Sequence, residues 1–173
     1  ATSDLKGAGQ RLYLVGSSKQ ELGASEIAYM LRESGEAGGI GGEVPQLLDP
    51  KSQLNAYRAL SKTIQSGLVR TAHDCSEGGI AVAVAEMCIG GRCGANIDVD
   101  GTGNGDIWGR LWGESLGRIV VGVSAGNEAD FVEAMAGPVF VGIDYVPATL
   151  ETEETSTTIG DKTTTDTSTD VTN

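Results

Sequence analysis

Histidine occurs once in these 173 residues, proline four times and phenylalanine twice, and basic side chains number 12 against 24 acidic ones. The shortage of positive charge excludes most. A formal net charge of −12 repels nucleic-acid phosphates and anionic membranes unless a basic patch overrides it, and the sequence shows no such patch. The three cysteines, Cys75, Cys88 and Cys93, lack the paired short intervals of a zinc site, so no metal site and reduced, buried thiols are expected. The longest apolar run, residues 80–89, is too short to span a bilayer and is interrupted by Glu86. No charged, apolar leader opens the chain, and a cytoplasmic location is expected. The opening ATSDLKGAGQ has no initiator methionine, which fits a processed product or a piece of something longer.

A hydrophobic content of 39% is that of an ordinary folded protein, and residues 1–150 are expected to form one domain. The carboxylate excess would keep its surface hydrated in concentrated salt, a halophile-like feature. After Leu150 the composition turns to threonine and acid, "ETEETSTTIGDKTTTDTSTDVTN". Such a segment buries too little to offset its ordering entropy, so residues 151–173 are expected to be a mobile tail. A β-hairpin turning at "IGD" is the alternative.

Strand and helix signals interleave. "RLYLVG" is a buried strand closed by glycine, and a helix follows in "SKQELGASEIAYMLRES", where Ile27, Met30 and Leu31 share a face. "GEAGGIGGEVPQLLDP" is a loop, and Asp49 before Pro50 starts a helix to about Ser66 that Gly67 stops. Its inward stripe is expected at Leu54, Tyr57, Leu60, Ser61 and Ile64. "LVRTAHD" is a strand, and residues 78–90 form a helix apolar almost all round, which should be buried on more than one side. "GANIDVD" and "GRIVVGV" are strands, "GDIWGRLWGES" a short helix, "NEADFVEAMAG" a helix capped by Asn127, and "PVFVGIDYV" a last strand. "GTGNGDIWG" lacks both a phosphate-loop lysine and a dinucleotide glycine triplet.

Chemistry concentrates at "HDCSEGG", residues 73–79. His73, Asp74 and Ser76 are a poor catalytic triad, because triad members come from separate segments and point at one another. Two readings of the motif remain. As an anion cradle, glycine lets backbone approach a ligand and the following helix aims free amides at it, although Asp74 and Glu77 would oppose a bare phosphate. As a structural device, Asp74 or Ser76 caps the helix while Gly78 and Gly79 permit close packing.

"LVRTAHDCSEGGIAVAVAEMCIGG" resembles the C-terminal part of phosphoribosylformylglycinamidine synthase subunit II. That family carries histidine, aspartate, a variable residue, serine, an acidic residue and paired glycines before an alanine-rich helix. The resemblance extends through "LKGAGQRLYLVGSSKQELGASE", "GEVPQLLDP" and "GRLWGESLGRIVVGV", covering about residues 4–124 and more weakly to 150. It implies an α+β fold, a mixed β-sheet with helices packed on it, like the C-terminal domain of aminoimidazole ribonucleotide (AIR) synthetase. It also implies a purine-synthesis ligase that uses ATP and Mg2+ to convert formylglycinamide ribonucleotide and ammonia to the amidine. Its partners would be upstream domains of the same enzyme and a glutaminase subunit supplying ammonia; the family's catalytic residues and ATP ligands lie outside the matched segments. Glu114, Ser115 and Leu116 resemble a pseudo-symmetric copy of a substrate-contacting glutamate–serine–glutamine triplet, with leucine replacing glutamine. His73, Asp74, Ser76, Gly78, Gly79, Glu114, Ser115 and Arg118 are thus expected at an auxiliary nucleotide or interdomain site, Glu114 and Arg118 being spaced for an ion pair on one helical turn. The alternative is a stand-alone binding module that kept the fold and lost the chemistry. Hydrogenase-maturation, selenophosphate and thiamine-phosphate enzymes are more distant, since their corresponding helices start differently.

Overall fold

Leu12 and Leu14 point one way along β1 (Gln10–Val15) and Tyr13 and Val15 the other, so this strand is apolar on both faces and serves two cores. A computed structural model describes residues 1–35, 40–47, 49–136, 140–141 and 145–146. β1 pairs antiparallel with β4 (Ile119–Ser124) and with β5 (Phe140–Val141), and β4 pairs antiparallel with β2 (Val69–Asp74). The sheet order is β2-β4-β1-β5, and Thr2 bonds in parallel beside β2. A two-residue strand β3 (Asn96–Ile97) pairs with β6 (Tyr145–Val146).

Helices cover both faces. Against Leu12, Leu14 and Val120 lies α3 (Gly79–Gly91), burying Ile80, Ala83, Val84 and Met87. Against Val15, Val121 and Val123 lie α2 (Pro50–Gln65), through Ala56 and Leu60, and α5 (Glu128–Met135), through Phe131 and Met135. α1 (Glu26–Glu33) and α4 (Ile107–Trp112) complete the helices. The fold class is therefore α+β, with antiparallel ladders and a parallel bridge at Thr2. Among the described residues no helix is long and apolar enough to cross a membrane.

Local starts and stops follow side-chain chemistry. Asp49 accepts from the Ser52 amide at 3.0 Å ahead of Pro50, and Gly67, at φ 81°, follows the end of α2. Ser25 accepts from the Ala28 amide at 3.3 Å, capping α1. Asn127 occupies the cap position of α5, but its side chain makes no capping bond, because a short 3-10 turn at Ala125–Asn127 already leads into the helix.

Three expectations need correcting. The inward face of α2 runs through Ala56, Leu60 and Thr63, while Leu54 (47% exposed), Tyr57 and Ser61 face outward: small Ala56 lets the helix approach the sheet, and that rotates the stripe. α3 meets the sheet on one side and α4 on another, as expected, but its outer face is open, with Ala85 and Glu86 exposed and Ile89 78% exposed, because neither neighbour reaches it. Among the described residues "PVFVGIDYV" gives two short strands in different sheets, and "GANIDVD" pairs only at Asn96–Ile97. The expected tail, residues 151–173, lies outside the described residues, as does part of the last strand signal.

The open outer face of α3 sets a paired test. Val84→Asp places an unpaired charge in the core and should lower unfolding free energy by about 3–5 kcal/mol. Ile89→Asp, on the outward face, should change it by less than about 0.5 kcal/mol. Urea denaturation of both variants checks this, and equal losses would show that the buried face is wrongly placed.

Candidate functional site

The segment "GESLGR", residues 113–118, crosses the end of the sheet between α4 and β4, and it is where the two halves of the expected site meet. It is not helical. Glu114 Oε1 accepts from the Gly78 amide and from the Glu26 amide, both at 2.9 Å, so one carboxylate oxygen sits at the start of α3 and of α1 together. Negative charge at a helix start is favourable, since the first amides lack intrahelical partners and carry the positive end of the dipole. Glu114 supplies both helices from a distance.

Arg118 is 1% exposed, and each of its three guanidinium nitrogens donates a hydrogen bond. Nε donates to the Ser115 carbonyl at 3.0 Å, Nη1 to Ser18 Oγ at 2.9 Å, and Nη2 to the Gly113 carbonyl. Burial pulls its pKa below the usual value, against the fields of Cys75, Glu21 and Glu114. The Arg118 carbonyl in turn accepts from the Cys75 amide at 2.9 Å, which fixes the exit of β2. Burial pushes the Cys75 thiol up to about 11, leaving it a neutral packing group. Ser115, also buried, accepts through Oγ from the Lys19 amide at 3.1 Å.

Gly78 and Gly79 both have positive φ, 77° and 65°, as the sharp turn into α3 requires. A Cβ at Gly79 would lie 2.6 Å from the carbonyl oxygens of Leu111 and Gly113, so the turn packs directly on the 113–118 segment. Asp74 and Ser76 do not cap α3. They bond to each other, and the Ser76 hydroxyl, ahead of other backbone bonds, holds the Asp74 carboxyl below its ordinary pKa. His73 turns away from this node toward α3, with Nε2 3.0 Å from Glu86 and Nδ1 2.8 Å from the Asp74 carbonyl.

The expected residues therefore divide. Gly78, Gly79, Glu114, Ser115 and Arg118 form one connected node, Asp74 and Ser76 stand exposed beside it, and His73 belongs to a pair on β2 and α3. The expected Glu114–Arg118 ion pair is absent from the described contacts, because residues 113–118 are an extended turn in which Glu114 accepts from backbone amides and Arg118 donates to Ser18 Oγ and two carbonyls. Sequence reasoning missed Ser18, Lys19, Glu21, Glu26 and Glu86. The quoted "GSSKQELGASE" holds four of these, and its polar density between a strand and a helix was the available signal. Glu21 is buried, with Oε1 accepting from the Gln46 amide at 3.2 Å and Oε2 lacking a hydrogen-bond partner among the described residues.

Chemically, the node is closed. The Gly78 and Glu26 amides go to Glu114, and the Gly79 amide goes to the Ser76 carbonyl at 3.1 Å, so the donors of the two glycines are engaged within the fold. Among the described residues no group of three or more His, Cys, Asp or Glu side chains is arranged to hold a metal ion. Beside Glu114 a cleft of about 290 Å³ is lined by Glu26, Tyr29 and Glu77, a wall that disfavours anions.

Removing the shared carboxylate should be costly. Glu114→Ala strands two helix-start amides and should destabilise the fold by about 2 kcal/mol, whereas Glu114→Gln keeps an acceptor oxygen and should lose less than half of that. Thermal and urea unfolding check the order; equal losses would mean that charge, not acceptance, is what the helices need.

Residues 7–141 match the family described as AIR synthase related protein, C-terminal domain. Solved structures share the fold. Thermotoga maritima PurL complexed with AMPPCP aligns over 87% of this chain and 23% of its own, with a TM-score of 0.62 at 21% identity. T. maritima PurL complexed with FGAR aligns over 84% and 25%, with TM-score 0.62 and 21% identity. The Escherichia coli hydrogenase maturation protein HypE aligns over 86% and 45%, with TM-score 0.55 and 17% identity. The chain thus spans about a quarter of the PurL chains it matches. By the match over residues 7–141, it belongs to the AIR synthase related protein, C-terminal domain family.

Proposed function

We propose that this chain is the C-terminal domain of a phosphoribosylformylglycinamidine synthase. The full enzyme converts formylglycinamide ribonucleotide and ammonia to the amidine at the expense of ATP, in purine synthesis. The observation that carries the reading is the family match over residues 7–141. It is supported by the higher TM-score to PurL, 0.62, than to HypE, 0.55. PurL structures complexed with ATP and with FGAR give the kind of ligand, and that of T. maritima PurLQS the kind of assembly. A cytoplasmic location, a glutaminase partner and upstream ATP-binding domains belong to the same reading.

ATP and Mg2+ do not fit the described residues. The Gly78 and Gly79 amides of the α3 turn are already taken, the nearby carboxylates repel phosphate, and no three-ligand metal group is present among the described residues. No chemical step is therefore assigned to this domain, and the chain alone should be inactive. Its role in our reading is positional: the Glu114–Arg118 node rigidifies the turn that carries exposed Asp74 and Ser76, and this turn meets the upstream domain. The closed node also suits the second reading, a binding module without chemistry.

Co-expression separates them. This chain combined with an upstream synthetase region should restore ammonia-dependent ATP hydrolysis with formylglycinamide ribonucleotide, with neither part active alone. Within the active assembly, Asp74→Asn should lower kcat/KM about tenfold, or 1.4 kcal/mol, with the melting temperature nearly unchanged. Failure of every upstream region to restore turnover would favour the binding module.

A further inference from the structure

Helix α3 ends in an unusual cap. Arg92, not glycine, takes the left-handed conformation there, at φ 52° and ψ 43°. The Arg92 amide donates to the Ile89 carbonyl at 3.3 Å, and the Cys93 amide reaches back to the Cys88 carbonyl at 3.1 Å. In this closure the residues at either end of the outer hydrogen bond ordinarily make a side-chain contact across the turn. Here both are cysteines. The hydrogen bond alone limits their Cα separation to about 7 Å, from standard bond lengths, and a disulfide needs about 4.4–6.8 Å. Cys93 is buried in the core under α3, and half-buried Cys88 packs against the same cluster.

We propose that Cys88 and Cys93 form a dithiol modification site that closes to an intramolecular disulfide by exchange with a low-molecular-weight disulfide. This inference is independent of the enzymatic reading above. The more accessible Cys88 thiolate attacks one sulfur of the small disulfide, breaking its S–S bond and releasing one thiol. The Cys93 thiolate then attacks Cys88 in the mixed disulfide, forming the internal bond and releasing the second thiol. Two protein thiols are oxidised, one disulfide is reduced, and the two protons leave with the released thiols. Burial raises the pKa of both cysteines, and the neighbouring Cys93 raises that of Cys88 further, which agrees with their proximity. Cys75 is separate, buried at the other end of α3.

Arg92 lies inside the ring, so trypsin reports closure directly. The folded chain carrying Cys75→Ala is incubated with oxidised glutathione, alkylated and digested without reduction. Cleavage after Arg92 separates residues 71–92 from 93–110 unless the two sulfurs are bonded. A joined pair is expected from monomeric protein that has lost two hydrogens, at least about tenfold more abundant than from the same chain with Cys88→Ser. The wild-type chain, read by fragmentation, should show the same Cys88–Cys93 link. Glutathione adducts without a joined pair, unmodified thiols, a link through Cys75, or a link found only in dimers would each overturn the proposal.

Discussion

A guanidinium with no access to water organises this end of the domain. Burying a cation is unfavourable unless its donors are matched, and Arg118 is matched by Ser18 Oγ and the carbonyls of Gly113 and Ser115. These partners come from the loop after β1 and the link between α4 and β4. Through its own carbonyl Arg118 also holds Cys75 at the exit of β2. Three chain segments thus meet at one residue, whose guanidinium fork a lysine could not reproduce. Once that group is in place, Ser115 is presented to Lys19 and Glu114 to the starts of α1 and α3.

This economy bears on function. A strand-to-helix turn with paired glycines is a ready anion site when its amides are free. Here an internal carboxylate occupies it, so the same geometry becomes a rigid mount. Asp74 and Ser76, bonded to each other and exposed at its outer edge, remain available to a neighbouring domain. The sheet itself, covered by α3 on one face and by α2 and α5 on the other, leaves its function to the loops at its end.

Much of the fold was readable from local pattern. The apolar runs at residues 11–15 and 119–123, the Asp49–Pro50 start and the Gly67 stop each carry their cause within a few residues. The "HDCSEGG" turn stood out for the same reason. What local pattern hid was pairing across distance: Glu114 reaches 36 residues back to Gly78 and 88 back to Glu26. An arginine at the mouth of "GRIVVGV" looks like a surface residue, since nothing adjacent announces three buried acceptors. Leu54 and Tyr57 were placed inward because periodicity counts apolar residues, whereas burial depends on which face an approaching sheet can reach.

The claim that Arg118 anchors these connections is most directly tested by amide hydrogen exchange on Arg118→Lys. The four amides held by the 113–118 segment, those of Lys19, Glu26, Cys75 and Gly78, should lose protection together by about tenfold or more, while amides of the β1–β4 ladder keep theirs. Unchanged protection at those four positions would contradict the account, as would a loss spread evenly over the whole sheet.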